Sequence, residues 1–161
     1  PEAAVTMTIG QPGEHWVLNA LAVLAAVEAA GGDLAQAGLA LAELQGMAGR
    51  GARSIIPVSG GEALLIDESY NANPASMAAT LKVLAEAPAS RRVAVLGAMK
   101  ELGEHGPALH AGLKEPIEQA GVDFALLVGE EMAPLAEALE GVTDFMHVPG
   151  AADALEALKG R

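Results

Sequence analysis

The chain has 161 residues, of which 52% are hydrophobic and only 2% aromatic, so we expect one domain, or one domain and part of another, with an aliphatic core. Its net charge of −12 argues against nucleic acid or an anionic membrane surface as a partner, although a few local donors would still suffice to bind a nucleotide. There is no cysteine, which excludes disulfides and thiol nucleophiles and fits a reducing compartment.

The first third of the chain is predicted to be mainly helical. Residues 5–9 alternate weakly and are compatible with an edge strand. After a turn at 10–13, a helix is expected from Glu14 to about Ala30, with Leu18, Leu21, Leu24 and Ala25 on its apolar face. Asp33 is expected to cap a second helix that runs from Leu34 to about Gln45. The apolar run 16–31 is interrupted by Asn19 and Glu28 and is too short to span a bilayer, and no secretory signal is visible.

A flexible connection and a domain boundary are predicted at the glycine-rich residues 46–51, which include Arg50. They separate residues 1–46 from residues 47–161. Because the chain opens on Pro1-Glu2, we expect an excised fragment of a longer protein.

Strands alternate with helices in the second part of the chain. Two strands, 55–58 and 63–66, are expected to form a hairpin-like unit through residues 59–62. Further strands and helices follow in turn, at about 74–87, 92–96, 105–120, 124–128, 131–139, 145–148 and 151–158. From residue 61 onward this β-α-β-α order predicts a parallel sheet with right-handed crossovers.

The most informative stretch is a polar loop that follows the apolar residues 64–66, which read as a buried strand. It contains Asp67, Ser69, Tyr70, Asn71 and Asn73, and a helix is expected to start directly after it. Open α/β sheets bind ligands at the carboxyl ends of their strands, and helix N-termini favour anions. A plain turn does not need this set of side chains, so we predict a ligand site here.

This stretch also carries a resemblance to a known family. The sequence Asp-Glu-Ser-Tyr-Asn-Ala-Asn-Pro-x-Ser-Met at 67–77 resembles the start of the C-terminal domain of the Mur ligases, and is most similar to the members that join D-alanyl-D-alanine to a UDP-muramoyl-tripeptide. Two other segments are similar to family motifs: 13–22, where Trp16 replaces an Asn, and 97–103, where Ala98 replaces an Asp. The resemblance covers the chain from about residue 10.

The resemblance implies a Rossmann-like α/β C-terminal domain with a mostly parallel sheet, residues 47–161, preceded by a helical remnant of the central ATP-binding domain, residues 1–46. It implies part of a cytoplasmic, monomeric, ATP-dependent amide ligase of peptidoglycan biosynthesis. Such an enzyme phosphorylates the carboxylate of the tripeptide with ATP and Mg²⁺, and the amine of D-alanyl-D-alanine then attacks the acyl phosphate.

Site residues follow from the same resemblance. The expected nucleotide-binding residues are Asn19 toward the adenine, Arg50 toward ribose or phosphate, Asp67 toward the ribose hydroxyls, and His15, Tyr70 and Asn71 beside them. Asn73 and His110 are expected to bind the peptide substrates. His105 and His110 are five positions apart and do not share a helical face, so no metal site is predicted.

Part of the family's machinery is not found in this sequence. It contains no Gly-x-x-x-x-Gly-Lys-Ser/Thr phosphate loop, and the Mg²⁺ ligands of the central domain are missing too, so we expect this chain alone to be inactive. Two alternatives stay open: another Mur ligase or a folylpolyglutamate synthase-type ligase, and a non-catalytic α/β nucleotide- or substrate-binding module.

Overall fold

The computed structural model describes residues 6–159, and this part of the chain folds as a mixed α/β structure, as expected. The elements run in the order α1 (Glu14–Ala29), α2 (Leu34–Ala42), β1 (Ala52–Val58), β2 (Gly61–Asp67), α3 (Pro74–Glu86), β3 (Val93–Gly97), α4 (Gly106–Ala111), α5 (Lys114–Gln119), β4 (Phe124–Val128), α6 (Ala133–Leu139), β5 (Asp144–Val148) and α7 (Ala151–Leu158). Single 3-10 turns precede α4 at Gly103–His105 and α6 at Glu130–Met132. None of the helices in residues 6–159 has the length and apolar character needed to cross a membrane.

The N-terminal segment consists of α1 packed on α2. The Asp33 carboxylate accepts hydrogen bonds from the backbone N–H groups of Ala35 and Gln36, so the predicted cap of α2 is confirmed. The predicted strand at 5–9 is wrong for residues 6–9, which form no strand, and Val5 lies outside the described residues. The second helix ends at Ala42, three residues earlier than expected.

The predicted apolar face of α1 is confirmed for Leu24 but is wrong for Leu18, Leu21 and Ala25. Ala20 and Leu24 are its buried residues, whereas Leu18 and Leu21 are about 60% exposed, at 64% and 58%. The short helix α2 covers only a narrow strip of α1, so the rest of its apolar surface remains open to solvent in this chain.

Strands β1 and β2 form an antiparallel hairpin, with Ala52 opposite Asp67 at the open end and Val58 opposite Gly61 at the turn. Gly60 and Gly61 both have positive φ, which allows the tight reversal. The predicted strand at 64–66 is confirmed as part of β2, but its predicted burial is wrong, because Leu64 and Leu65 are more than 40% exposed.

The parallel sheet has three strands in the order β3-β4-β5. The β-α-β alternation therefore predicted the parallel pairing of these strands correctly. It wrongly placed β2 in the same sheet, since β2 pairs with β1 in a separate two-stranded sheet. The physical reason is that the short glycine turn makes local antiparallel pairing available before any distant partner.

Helices cover both faces of the parallel sheet. One face packs against α3 to α6 and contains the largest buried residues, including Leu113, Ile117, Leu127, Met132, Leu135 and Leu139. The other face packs against α7 through Phe124, Leu126, Val148 and Ala154. The helix expected at 105–120 is broken into α4 and α5, because residues 112–113 form a turn between them.

Candidate functional site

The Asp67 carboxylate lies at the end of β2 and ties two loops together. Its Oδ2 accepts a hydrogen bond from the backbone N–H of Gly49 at 2.8 Å, and its Oδ1 accepts from the N–H and hydroxyl of Ser69 at 3.1 and 2.6 Å. The Ser69 hydroxyl, assisted by the backbone N–H groups of Gly49 and Ser69, lowers the pKa of Asp67. This carboxylate is therefore held in its charged form.

Residues 46–51, the predicted connection, form a turn that is held by backbone hydrogen bonds. Met47 and Arg50 exchange backbone hydrogen bonds of 3.2 and 2.8 Å, and the N–H of Gly51 donates to the Asp67 carbonyl at 2.9 Å. Gly49 has a φ of +73°, and a Cβ at this position would lie 2.9 Å from the Cβ of Tyr70. Only glycine fits here, because both the backbone angle and the space exclude a side chain.

Arg50 and Tyr70 are brought together by this turn. The N–H of Tyr70 donates to the Gly49 carbonyl at 3.1 Å, and the Arg50 guanidinium lies 4.0 Å from the centre of the Tyr70 ring. Both side chains are exposed, so the stacking orients the guanidinium while leaving its donors in solvent. Three of the predicted nucleotide residues, Arg50, Asp67 and Tyr70, thus form one cluster at the open end of the hairpin.

The two asparagines of the loop have local partners. Asn71 accepts a hydrogen bond from the N–H of Ala72. Asn73 is the N-cap of α3 and forms a reciprocal capping box with Ser76, with bonds of 2.9 and 3.0 Å, and Pro74 occupies the first helical position. The predicted cap is confirmed, while the ligand contacts of both asparagines stay predictions.

The start of α1 approaches the same turn. A Cβ on Gly51 would meet the side-chain oxygen of Gln11 at 3.1 Å, a carboxylate oxygen of Glu68 at 3.5 Å and the ring atom Cζ2 of Trp16 at 3.7 Å. His15 stacks obliquely on Trp16, with the ring centres 5.7 Å apart. Partial burial raises the pKa of Glu68, and nearby His15 opposes that shift. Asn19 is exposed one turn further along α1.

His110 lies elsewhere, in the core on α4. It is 2% exposed, and both ring nitrogens have backbone partners, Met99 and Gly106. Any effect of His110 on a substrate must therefore pass through its neighbours.

A groove of about 570 Å³ separates the start of α1 from α3 and is bounded by Glu14, His15, Leu18, Ala79, Lys82 and Glu86. Glu14 and Lys82 form an exposed ion pair of 2.9 Å across it. The hydrogen bond and charge of Lys82 lower the pKa of Glu14. Within residues 6–159, no group of three His, Asp or Glu side chains is arranged to hold a metal ion.

Sequence reasoning missed several of these contacts. The role of Gly49 in the turn could have been predicted, because a glycine directly precedes Arg50 in a glycine-rich stretch. Its contact with Tyr70 depends on the fold and could not. The approach of Glu68 to Gly51 had no signal in the sequence.

The polar cluster lies at the end of a strand, in front of a capped helix, in an α/β fold. The family model described as "Mur ligase, glutamate ligase domain" matches residues 54–161, and the chain belongs to the Mur ligase family.

Similar proteins agree with this assignment. The UDP-N-acetylmuramoyl-tripeptide–D-alanyl-D-alanine ligase of Escherichia coli is 38% identical over 139 residues, which is 86% of this chain and 30% of that protein. The crystal structure of MurF from Acinetobacter baumannii has a TM-score of 0.81 and 32% identity, and the match covers 99% of this chain and 33% of that one. A Thermotoga maritima MurF ligase in complex with ADP shares the fold, with a TM-score of 0.68, 24% identity and coverage of 92% and 32%. The chain thus spans about a third of the length of these relatives.

Proposed function

We propose that this chain serves as the C-terminal part of an ATP-dependent ligase that adds D-alanyl-D-alanine to UDP-N-acetylmuramoyl-tripeptide. Mur ligases are ATP-dependent ligases, and the curated relatives named for this reaction support the choice of substrates. The proposal includes a domain boundary near residue 46 and a cytoplasmic, monomeric enzyme, as expected from the sequence resemblance. The family match begins at residue 54, which is consistent with that boundary.

The observation that carries the proposal is the cluster of Arg50, Asp67 and Tyr70. It joins two loops that are separate in sequence, at the place where the strand β2 ends and the capped helix α3 begins. A strand end in front of a helix N-terminus suits an anionic ligand such as a nucleotide.

Each member of the cluster offers a different contact to a nucleotide. Among the described residues no hydrogen bond or ion pair engages the Arg50 guanidinium, so its N–H groups are available to phosphate or ribose oxygens. The exposed Tyr70 ring supplies a flat surface that holds this guanidinium in place.

The Asp67 carboxylate has limited capacity for the ribose. A carboxylate has about four lone-pair positions, and three are used by Gly49 and Ser69. One position remains on Oδ2, enough for one ribose hydroxyl. We therefore propose that Asp67 accepts one hydrogen bond from a ribose hydroxyl, and that Asn19 and His15 lie nearer the base.

The Mg²⁺ ion does not fit this part of the chain. The described residues contain no suitable set of ligands, and the sequence contains no phosphate loop. We propose that metal and triphosphate are held elsewhere in a longer protein, and that this chain binds the nucleoside end and orients it. In the reaction the γ-phosphoryl group passes to the tripeptide carboxylate, and the dipeptide amine then displaces phosphate to form the amide.

The experiment is an assay of the longer protein that contains this chain, with ATP, UDP-muramoyl-tripeptide and D-alanyl-D-alanine. We expect phosphate release that depends on all three, and a product heavier by the dipeptide. Activity with a single amino acid or with a folate in place of these substrates would support another ligase of the superfamily. Nucleotide binding without turnover on any acceptor would support a binding module and refute the proposal.

Arg50→Ala and Arg91→Ala form a matched pair for the site. Both remove an exposed arginine, but Arg91 lies in the connection between α3 and β3 and is not part of the cluster. We expect the KM for ATP to rise only in Arg50→Ala. Equal effects of the two changes would contradict the placement of the nucleotide at the cluster.

A further inference from the structure

The loop that follows β3, residues 98–103, lies at the carboxyl edge of the parallel sheet and has an unusual backbone. Glu101 has a φ of +61°, and no other non-glycine residue in the described part of the chain has a positive φ. Such a conformation is uncommon and persists only where neighbouring contacts enforce it, and residues of this kind cluster at functional sites. Some contact must therefore fix this loop.

His110 supplies that contact from the core. Its Nε2 lies 3.0 Å from the backbone nitrogen of Met99, and its Nδ1 lies 2.7 Å from the carbonyl oxygen of Gly106. Because the Met99 nitrogen can only donate, Nε2 accepts, and the ring proton on Nδ1 is donated to Gly106. One neutral tautomer satisfies both bonds.

The site is sealed from water. His110 and Met99 are both 2% exposed, and the Met99 side chain is part of the main core cluster. If the imidazole is removed, no water can reach the Met99 N–H to accept its hydrogen bond, so this buried donor is left unpaired. The hydrogen bond at Met99 therefore holds the loop in place two residues before Glu101.

The fastened loop presents an ion pair at the sheet edge. Lys100 bonds to Glu131, which lies in the loop after β4, and the two side chains are 70% and 49% exposed. The hydrogen bond from Lys100 lowers the pKa of Glu131. Because both side chains are largely exposed, they can exchange their mutual bond for contacts with the carboxylate and ammonium ends of a zwitterionic dipeptide. The nucleotide candidates lie at the end of β2, in the other sheet.

We propose that His110 is a positioning residue that holds the 98–103 loop, so that Lys100 and Glu131 bind the zwitterionic dipeptide substrate. His110 itself touches no ligand and acts through the Met99 N–H. The assignment of the dipeptide to Lys100 and Glu131 rests on the ligase function proposed above. The hydrogen bond between His110 and Met99 does not depend on that function.

The test uses three variants of the longer protein. His110→Asn keeps a donor near Gly106 but is too short to reach Met99, whereas His110→Gln places an amide oxygen where Nε2 lies. His105→Asn is the control, because the His105 side chain is 78% exposed on the same segment. The measurements are the nitrogen chemical shifts of His110, amide exchange at Met99, and the KM for each substrate.

We expect the wild-type spectrum to show the Nδ1–H tautomer. In His110→Asn, exchange at Met99 and the KM for D-alanyl-D-alanine should both rise on the order of tenfold to a hundredfold, the effect of one unpaired buried donor. The KM for ATP should stay unchanged, and His110→Gln should recover most of the loss, because it restores the acceptor and not merely the volume.

The inference would be overturned by a proton on Nε2 of His110 or by unchanged exchange at Met99 in His110→Asn. It would also be overturned if the KM values for ATP and for D-alanyl-D-alanine rose equally, or if His110→Gln recovered nothing. If His110→Asn fails to fold, the tautomer of His110 in the wild-type protein and the KM values of His110→Gln still test the inference. A wild-type protein without ligase activity would refute the proposed function, while the tautomer and the Met99 exchange would still test the tie.

Discussion

The substitution Asp67→Ala tests the nucleotide cluster most directly, because this carboxylate has both a structural and a proposed binding role. The change removes three accepted hydrogen bonds. The two donors of Ser69 are exposed and can bond to water, so their loss costs little. Gly49 is buried, and its N–H is left without a partner, which costs roughly 1–3 kcal/mol of local stability.

The proposed ribose contact adds a separate loss of affinity. A hydrogen bond to a charged acceptor is worth about 1.5–3 kcal/mol, so the dissociation constant for ATP should rise roughly tenfold to a hundredfold. Titration calorimetry of the longer protein gives this value, and amide exchange at Gly49 reports the local opening.

Two further variants separate the contributions. Ser69→Ala removes the closest donor but keeps the carboxylate, and it should weaken ATP binding little. Gly49→Ala forces a Cβ against Tyr70 at a positive φ, so it loosens the turn while the Asp67 carboxylate stays intact. Glu68 is no neutral control, because its carboxylate accepts a hydrogen bond from the backbone of Gly51 in the same turn. An Asp67→Ala protein that binds ATP normally, or no worse than Gly49→Ala, would show that Asp67 does not reach the ribose.

The same carboxylate makes the turn sensitive to acid. Because the folded-state pKa of Asp67 is lowered, its contribution to stability is complete above the unfolded value of about 3.9 and is lost as the pH falls through the folded value. Amide exchange at Gly49 should therefore be flat from neutral pH down to about 4 after correction for the intrinsic rate, and should accelerate below it. Acceleration that persists in Asp67→Ala would assign the effect to another group.

Three other predictions concern the chain as a whole. The chain by itself should not release phosphate from ATP in the presence of the peptide substrates, since it contains no phosphate-loop sequence; turnover by the pure chain would contradict this. Amide exchange should be faster across residues 6–46 than across 50–159, because α1 buries only two residues; uniform protection would show that the two segments are equally stable. Lys82→Met should return the pKa of Glu14 toward its ordinary value in an NMR titration, since Lys82 is the main cause of its lowered pKa, and an unchanged titration would show that the ion pair is not formed in solution.

Local chemistry made much of the fold predictable. The cap of α3 could be read from Asn73 and Pro74, because capping depends on residues within one helical turn. The strands β3, β4 and β5 could be read from short apolar runs, and their parallel pairing followed from the helices between them.

What the sequence did not reveal depends on partners that are distant in the chain. The hairpin of β1 and β2 was predicted, but its separation from the parallel sheet was not, because the sheet to which β2 belongs depends on strands that follow it in the chain. The exposure of Leu18 and Leu21 depends on what covers α1, which periodicity does not show. In the same way, the bond from Gly49 to Asp67 spans eighteen positions and appears only when the hairpin closes.

That hairpin has a consequence for the order of folding. The Arg50, Asp67 and Tyr70 cluster lies within residues 47–70, a continuous segment that contains β1, β2 and their flanking turns. Hairpins close in about 1–10 μs, whereas parallel strands must wait for a crossover connection. On the ribosome this segment is synthesised before β3, β4 and β5. An isolated two-stranded hairpin is only marginally stable, so the cluster takes shape early and becomes long-lived only once the parallel sheet and its helices have formed.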